Sequence, residues 1–227
     1  MGILYIVATP IGNLGDITFR AVEILKTADL ILCEDTRQTR KLLDNYKIET
    51  PVLSYHQHSK LGKMEQILEK LKKGENLALV SDAGTPGISD PGNKLISYLT
   101  KELVNLKVVP IPGPSAAIAA LSVCGFPTDE FLFLGFVPHK KGRQTLFKKI
   151  SETKETIVFY ESTHRIFKTL EQLGEFLDKD RQVMIGRELT KMFETIYRGT
   201  LSEVLEQLKN DTIKGEFVIV ISHKTGH

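Results

Sequence analysis

A loop dense in glycine, proline and acidic residues follows the apolar run at residues 77–80. Residues 81–92 read Ser-Asp-Ala-Gly-Thr-Pro-Gly-Ile-Ser-Asp-Pro-Gly, and their three glycines and two prolines restrict the backbone to a path that few other residues can follow. Open α/β folds bind ligands in such loops, at the carboxyl ends of parallel strands. A long capped turn before the next helix is the alternative. The length and composition of the loop favour ligand binding.

Four acidic residues could take part in acid–base chemistry beside this loop. Asp82 and Asp90 lie within it, and Glu34 and Asp35 follow an earlier apolar run. Because parallel strands bring the loops at their carboxyl ends to one edge of a sheet, we expect all four near one crevice. Each carboxylate has an alternative role as a helix cap or first-turn charge. Capping is favoured for Asp90, which precedes a proline, whereas capping and function are weighed equally for Asp35 and Asp82.

Basic residues form three groups that would suit a phosphate backbone. Each group alone is typical of a solvated surface, and the net charge of +2 does not by itself predict a nucleic-acid partner. The loop at residues 138–143 follows a hydrophobic run and has the character of a flexible cationic clamp, which slightly favours RNA binding. The candidate RNA contacts are Arg37, Arg40, His139, Lys140, Lys141, Arg143, His164 and Arg165, and the groups also contain Lys41, Lys148, Lys149 and Arg187.

Several common functional motifs are absent from the sequence. No dinucleotide-binding Gly-x-Gly-x-x-Gly follows the first strand, and the chain has neither a phosphate-binding P-loop nor a Gly-x-Ser-x-Gly nucleophile elbow. His56 and His58 could ligate a metal, but no third ligand stands near them, so an exposed polar loop is favoured and no metal site is expected. Cys33 and Cys124 lie in apolar runs, which predicts buried thiols in a reducing compartment.

The 227 residues, 41% hydrophobic and 26% charged, are typical of a globular protein of one large or two smaller domains. The N-terminus lacks a basic region and no run has transmembrane length, so a cytoplasmic protein without a membrane partner is expected. In the first half, apolar runs alternate with helical stripes, which predicts a mostly parallel α/β sheet with helices on both faces. The predicted strands are residues 3–8, 30–33, 77–80 and 107–111.

The second half of the chain predicts a mixed sheet with helices. Arg187 and Thr195 are too close for a helical crossover, so the strands on either side should be antiparallel. The proline-rich segment 110–115 could be a domain connector, a second functional loop, or both. We therefore expect domains at residues 1–112 and 113–227. The predicted strands are residues 131–136, 156–160, 182–186, 195–198 and 217–221, with helical stripes at residues 166–177 and 201–208.

Seven segments, in order along nearly the whole chain, resemble the ribosomal RNA small subunit methyltransferase I family of the tetrapyrrole methylase superfamily. They are residues 5–14, 33–37, 81–92, 112–116, 133–138, 160–165 and 186–191. Tetrapyrrole enzymes usually carry Gly-Asp-Pro where this chain has Ser81-Asp82-Ala83. This departure argues against a porphyrinoid substrate and leaves a cofactor role for the loop intact.

The resemblance implies S-adenosylmethionine-dependent 2′-O-methylation of a cytidine ribose in small-subunit ribosomal RNA. It also implies a two-domain fold with the cofactor in the cleft between the domains, and a homodimer. Glycine- and proline-rich loops suit a cofactor because their backbone groups can approach it closely. Carried over by position, the cofactor contacts would be Pro10, Asp82, Ala83, Gly84, Thr85, Ser115, Ala116, Tyr160, Glu161 and Gly215.

Methyl transfer needs the 2′-oxygen aligned with the methyl–sulfur axis, and a positioned base adds about a hundredfold or more in rate. We expect Glu34 or Asp35 to be that base, with Arg37 and Arg165 holding phosphates. Two alternatives stay open: a methylase acting on a tetrapyrrole or a protein side chain, and a non-enzymatic assembly factor that binds RNA. The basic loops and the Ser-Asp-Ala-Gly-Thr-Pro sequence weigh against the first alternative, and the intact cofactor loop weighs against the second.

Overall fold

The computed structural model describes residues 1–56, 61–211 and 213–223. The chain divides into two compact units, the first spanning Met1–Ser115 and the second beginning at Ala116. The proline-rich segment led us to expect the boundary three residues earlier, after residue 112. Within the described ranges, no helix is long and apolar enough to cross a lipid bilayer.

Strands and helices alternate along the described part of the first unit. The strands are β1 (Ile3–Val7), β2 (Leu30–Cys33), β3 (Val52–Ser54), β4 (Leu77–Leu79) and β5 (Lys107–Ile111), and the helices are α1 (Phe19–Thr27), α2 (Thr36–Asn45), α3 (Leu61–Lys72) and α4 (Asn93–Glu102). The strands form one sheet in the order β3-β2-β4-β1-β5, with every adjacent pair parallel. The predicted parallel sheet is therefore confirmed.

Strand β3 was not predicted from the sequence. Its three residues are half-buried and are too few for a two-residue alternation to be visible. It pairs with β2 along the register Ile31 with Val52 and Cys33 with Ser54. This pairing places Ser54 at the same carboxyl edge of the sheet as the end of β2.

Alternate side chains of the first sheet pack against different helices. Leu30 and Leu32 join a buried cluster with residues of α3 and α4, whereas Ile31 and Cys33 join a cluster with residues of α1 and α2. This alternation follows from the two-residue period of a strand. Helices therefore cover both faces, as predicted, and Cys33 is a buried free thiol, as is Cys124 in the second unit.

The second unit contains a mixed sheet. Its strands are β6 (Phe131–Phe136), β7 (Thr156–Ser162), β8 (Gln182–Arg187), β9 (Thr195–Thr200) and β10 (Glu216–Ile221), and its helices are α5 (Ala116–Cys124), α6 (Arg143–Glu152), α7 (Ile166–Gly174) and α8 (Leu201–Lys209). The strand order is β6-β7-β10-β8-β9, in which β6 and β7 are parallel and the other adjacent pairs are antiparallel. The predicted antiparallel pairing of β8 with β9 is confirmed.

Helix α6 was not predicted, because its lysines were considered only as surface charge. Its buried residues Phe147 and Ile150 are three positions apart and so share one face of the helix. They join the main core of the unit, together with residues of α7 and α8 and one face of the sheet. Helix α5 packs against β7, β8 and β10.

A buried arginine closes the carboxyl end of α6. Arg181 is 5% exposed, and its guanidinium donates to the carbonyl oxygens of Ile150 at 3.1 Å, Ser151 at 3.4 Å, Thr153 at 3.0 Å and Ser222 at 2.9 Å. The last carbonyls of a helix have no partner within the helix, so this side chain satisfies groups that would otherwise be buried without one. Burial lowers the pKa of the guanidinium.

Replacing Arg181 with alanine should destabilise the protein strongly. The change leaves buried carbonyl oxygens without donors, and we expect a loss of about 2–4 kcal/mol in the free energy of unfolding. Urea denaturation followed by circular dichroism measures it, with the exposed neighbour Lys179→Ala as the matched control. Equal denaturation midpoints for the two variants would contradict this role for Arg181.

Candidate active site

The loops that follow β1, β4 and β5 are hydrogen-bonded to one another at the carboxyl edge of the first sheet. Thr9 and Gly84 exchange two backbone hydrogen bonds, of 2.9 and 3.1 Å. The Thr9 hydroxyl donates to the carbonyl oxygen of Ser81 at 3.0 Å, and the Thr85 hydroxyl donates to that of Pro114 at 3.4 Å. The loops therefore meet at one edge, as the parallel strand order predicts.

Gly84 is required by the backbone at the centre of this arrangement. Its φ angle is +84°, in the region that glycine adopts without steric cost. A side chain there would strain the loop at the residue that bridges to Thr9. The neighbouring predicted cofactor contacts differ in accessibility: Pro10 and Gly84 are buried, Thr85 is half-buried, and Asp82 and Ala83 are exposed.

The loop after β2 joins the same edge through Asp35. Its amide donates to Asp82 Oδ1 at 3.2 Å, and its own carboxylate caps α2 by accepting from the Arg37 amide at 2.8 Å. The Arg37 guanidinium lies 2.7 Å from Asp35 Oδ2. These hydrogen bonds from Arg37 lower the pKa of Asp35 to about 2. Asp35 is therefore a helix cap and a weak proton acceptor at neutral pH.

An open pocket of about 620 Å³ lies at this edge of the first unit. It brings together four of the predicted site residues. Two further lining residues are positioned by the unpredicted strand β3: Ser54 is its last residue, and His56 lies two residues beyond it. His58, the other histidine of the possible metal pair, lies outside the described residues. The pocket is lined by Glu34, Asp35, Thr36, Arg37, Ser54, His56 and Asp82. The described residues contain no group of three or more potential metal ligands.

The prediction that Asp90 caps a helix is wrong. Helix α4 begins at Asn93 with Gly92 in the capping position, and no side chain caps it. Asp90 instead lies half-buried near Glu34 and Asp82, at the carboxyl edge of the first sheet, which we call the acidic edge. Burial, followed by the charges of Glu34 and Asp82, raises its pKa to about 6, although a hydrogen bond with Ser81 opposes the shift. Among the acids of this edge, Asp90 therefore has a pKa suited to accepting a proton near neutral pH.

Replacing Asp90 with asparagine should stabilise the protein at neutral pH. Its pKa rises from 3.8 to about 6 on folding, so protonation favours the folded state. The folded protein accordingly loses stability as the pH rises from about 4 through 6, and the loss is complete above that range. Asp90→Asn removes the charge and should gain of the order of 1 kcal/mol at pH 7.5, after allowance for solvent screening, and little at pH 4.

Urea denaturation at the two pH values measures this effect, and Asp44→Asn, at an exposed acid of α2, is the control. A gain for Asp90→Asn that is the same at both pH values would show that the burial of charge is not its cause.

In the second unit, the carboxylate of Glu161 is buried and bonded on both oxygens. Oε1 accepts from the Ser162 amide at 2.8 Å and lies 2.7 Å from the Arg165 guanidinium. Oε2 accepts from the Thr169 hydroxyl at 2.6 Å and lies 3.8 Å from Arg143. The Glu161 side chain is thus committed to this buried network. The predicted cofactor contact is with the backbone near Tyr160 and Glu161, and it stays a prediction.

Arg143 lies in the protein interior and not on the surface that the sequence predicted for RNA. Its side chain is 6% exposed and donates to Gln172 Oε1 at 2.6 Å and to the carbonyl oxygen of Pro138 at 3.2 Å. Arg165, 16% exposed, donates to the carbonyl oxygen of Val137 at 3.0 Å. Both arginines therefore anchor the loop after β6. The spacing of Glu161 and Arg165 was the available signal for this network, since residues four apart in a turn leading into a helix can face each other.

The remaining predicted site residues are candidate cofactor contacts and candidate RNA contacts. The Tyr160 hydroxyl accepts from the Ala117 amide at 3.2 Å, beside Ala116, the first residue of α5. Gly215 has a φ of +100°, and a Cβ there would lie 2.3 Å from Glu188 Oε1, so only glycine fits. Ser115 is half-buried at the end of the first unit. The exposed predicted RNA contacts are Arg37, Arg40, His139, Lys140, Lys141 and His164.

Comparison with known proteins gives the family. The family described as "Tetrapyrrole (Corrin/Porphyrin) Methylases" matches residues 3–205. A Synechocystis protein named "Ribosomal RNA small subunit methyltransferase I" is 50% identical over 226 residues, which cover 99% of this chain and 80% of the relative. A Bacillus subtilis protein of the same name is 48% identical over 222 residues, 97% of this chain and 75% of the relative.

A solved structure supports the fold. The cobalt precorrin-4 methyltransferase of cobalamin biosynthesis superimposes with a TM-score of 0.69 at 19% identity, covering 96% of this chain and 94% of that one. The two-sheet architecture is therefore that of the tetrapyrrole methylases. Sequence and fold together show that the chain belongs to the tetrapyrrole methylase superfamily and, within it, to the ribosomal RNA small subunit methyltransferase I family.

Proposed function

We propose that this protein transfers a methyl group from S-adenosylmethionine to the ribose 2′-hydroxyl of a cytidine in small-subunit ribosomal RNA. The observation that carries this proposal is the near-full-length identity of 48–50% to relatives named for methylation of that RNA. The proposal includes a cytoplasmic location, where the substrate would be, and assembly as a homodimer.

The loops of the first unit fit an S-adenosylmethionine-binding role. The Thr9–Gly84 bridge holds the backbone of residues 82–85 in a defined path, with Asp82 and Ala83 exposed. When bound, the cofactor supplies an electrophilic methyl group on a sulfonium. Asp82 would hold its ribose diol or ammonium group, and the backbone at Ser115 and Ala116, where α5 begins, would meet a carboxylate or adenine.

The remaining carried-over contacts take narrower roles. Pro10, Gly84 and Thr85 shape the loops, and the second-unit contacts would come from Tyr160 and the backbone near Gly215. Glu161 would offer its backbone to the cofactor, while its side chain holds the two arginines that anchor the loop after β6. Exposed basic residues would meet the RNA phosphates: Arg37, Arg40, His139, Lys140, Lys141 and His164. Arg165, which is paired with Glu161 and 16% exposed, would contribute through the part of its side chain that solvent reaches.

Proton removal from the 2′-hydroxyl would fall to a carboxylate of the acidic edge. Glu34 and Asp35 were the two candidates from sequence. The Arg37 contacts that hold the pKa of Asp35 at about 2 weaken its case. Glu34 lines the pocket. Asp90 has a pKa of about 6, to which the negative charge of Glu34 contributes. We therefore propose Glu34 or Asp90 as the acceptor of the proton.

Purified protein should transfer labelled methyl groups from S-adenosylmethionine to unmodified small ribosomal subunits or to free ribosomal RNA. Label on a ribose 2′-oxygen supports the proposal, and the comparison of the two substrates shows whether the folded subunit is read. Cofactor binding without label in either RNA would favour a tetrapyrrole or protein acceptor. Neither label nor cofactor binding would favour a non-enzymatic assembly factor.

Single-turnover rates of Glu34→Gln, Asp35→Asn and Asp90→Asn should separate the three acids. Loss of the base should slow transfer by about a hundredfold at neutral pH. We expect that loss for Glu34→Gln or Asp90→Asn, and a smaller effect for Asp35→Asn. If all three variants kept the wild-type rate, alignment alone would account for catalysis and no carboxylate of this edge would be the base.

A further inference from the structure

One edge of the second sheet gathers four segments. Strands β6, β7 and β8 end at this edge and β10 begins there, because β6 is parallel to β7 and β10 is antiparallel to both β7 and β8. With strands about 4.8 Å apart, the edge is about 19 Å long from β6 to β9. We call it the second-sheet edge, and it consists of residues 137–142, 162–165, 188–194 and 213–216.

Hydrogen bonds and an ion pair connect these segments into one surface. The turn after β7 is bonded on one side to the loop after β6 and on the other to the segment before β10, which in turn meets the turn after β8. The bonds run from Arg165 Nη1 to the Val137 carbonyl oxygen at 3.0 Å, from the Thr163 hydroxyl to the Gly215 carbonyl oxygen, and from Lys191 Nζ to Glu216 Oε2 at 3.0 Å.

The turn between β8 and β9 is held by its own polar bonds. Glu188 Oε1 accepts from Lys191 Nζ at 2.8 Å and from the Glu216 amide at 2.9 Å. The Thr190 amide donates to Glu194 Oε2 at 2.6 Å. Both Glu188 and Thr190 have positive φ angles, of 51° and 68°. These bonds define the turn without using the side chains at its tip.

Two apolar side chains stand at that tip. Met192 is 90% exposed and Phe193 is 67% exposed. Single exposed apolar side chains are common on protein surfaces. Here, however, an adjacent pair is displayed by a turn that already buries its own apolar residue, Leu189. The fold therefore does not need Met192 or Phe193, and a flat aromatic ring is presented to solvent on a fixed support.

The exposed cations of the second-sheet edge suit a phosphate backbone. His139, Lys140, Lys141, His164 and Lys214 are exposed on the second-sheet edge. Glu188 and Glu216 share the single cation of Lys191, and Glu194 accepts from the Thr190 amide. The turn that carries the ring therefore keeps a negative charge of its own, and phosphates would lie toward the cations of the neighbouring segments. Exposed cations and an exposed aromatic ring on one surface are the two elements with which proteins bind unpaired nucleic-acid strands.

We propose that the second-sheet edge binds a single-stranded stretch of RNA, with one nucleobase stacked on Phe193 and phosphates beside Lys140, Lys141 and Lys214. This inference rests on the proposed ribosomal RNA substrate and adds the form in which that RNA is read. A base inside a duplex has both faces covered by its neighbours, so a ring at the tip of a turn can stack only on a base that is unstacked.

Binding of a short, unstructured, fluorescently labelled RNA, measured by anisotropy, tests the stacking contact. Phe193→Ala should weaken binding about tenfold, whereas Phe193→Tyr should bind as the wild type does, because its ring still stacks. Phe19→Ala removes a 97% exposed phenylalanine of the first unit and is the matched control, expected to have no effect. Because Phe193 is exposed, the variants should melt at the wild-type temperature.

The salt dependence of binding separates stacking from charge. Phe193→Ala should leave the slope of log affinity against log salt unchanged, since no counterion is released by a stacked ring. Lys140→Ala and Lys141→Ala should each make the slope shallower by about 0.7, the value for one phosphate contact on a single strand. For small ribosomal subunits, Phe193→Ala should raise the KM of methyl transfer.

Wild-type affinity for Phe193→Ala would overturn the proposal, and so would equal weakening of the alanine and tyrosine variants. Light scattering adds a third outcome against the proposal. If Phe193→Ala dissociates a dimer, and RNA binding returns to normal at concentrations that restore the dimer, the tip is a contact between copies of the chain.

Failure of the wild type to methylate ribosomal RNA would refute the proposed function, whereas methylation with an unchanged KM in Phe193→Ala would refute this inference alone.

Discussion

Thr9 and Gly84 exchange two backbone hydrogen bonds, and the loops after β1 and β4 owe their relative position to this bridge. Strand β1 pairs with both β4 and β5, so its own loop lies between the other two. The bonds from Thr9 to Ser81 and from Thr85 to Pro114 then complete the connection. A site built from loops is as well defined as the bonds between those loops, and here the parallel order of the strands makes a few short bonds sufficient.

The acids at this edge show how one environment can give similar side chains different chemistry. Asp35 lies at the start of α2 with the Arg37 guanidinium against it, and its pKa is lowered to about 2, so its carboxylate is ionised at neutral pH. Asp90 has lost part of its hydration and interacts with the negative charges of Glu34 and Asp82, so its pKa rises to about 6. Carboxylates whose pKa values are driven apart in this way can divide the roles of fixed charge and proton acceptor.

The sequence predicted elements that show a continuous apolar run or a helical period, and it missed features that depend on distant contacts. The buried strands ending at Cys33 and Ile111 were predicted because their apolar runs are bounded by turn residues, and the loops that follow them share an edge by topology. Strand β3 is too short to show a period. Asp90 was expected to cap a helix because it precedes Pro91, but α4 starts only after Gly92, and the burial that raises its pKa comes from tertiary packing.

The buried charges of the second unit were not predicted, because their burial also comes from tertiary packing. They position an exposed loop from below. Arg143, Glu161 and Arg165 are costly to bury, and such groups contribute little net stability compared with apolar residues of the same volume. What they provide is geometry: both arginines donate to carbonyl oxygens of the loop after β6, whose histidine and lysines are exposed. Two cations also share one carboxylate, so the network keeps a net positive charge beneath that loop. The same buried groups thus fix the position of the exposed basic residues and favour the approach of phosphate to them.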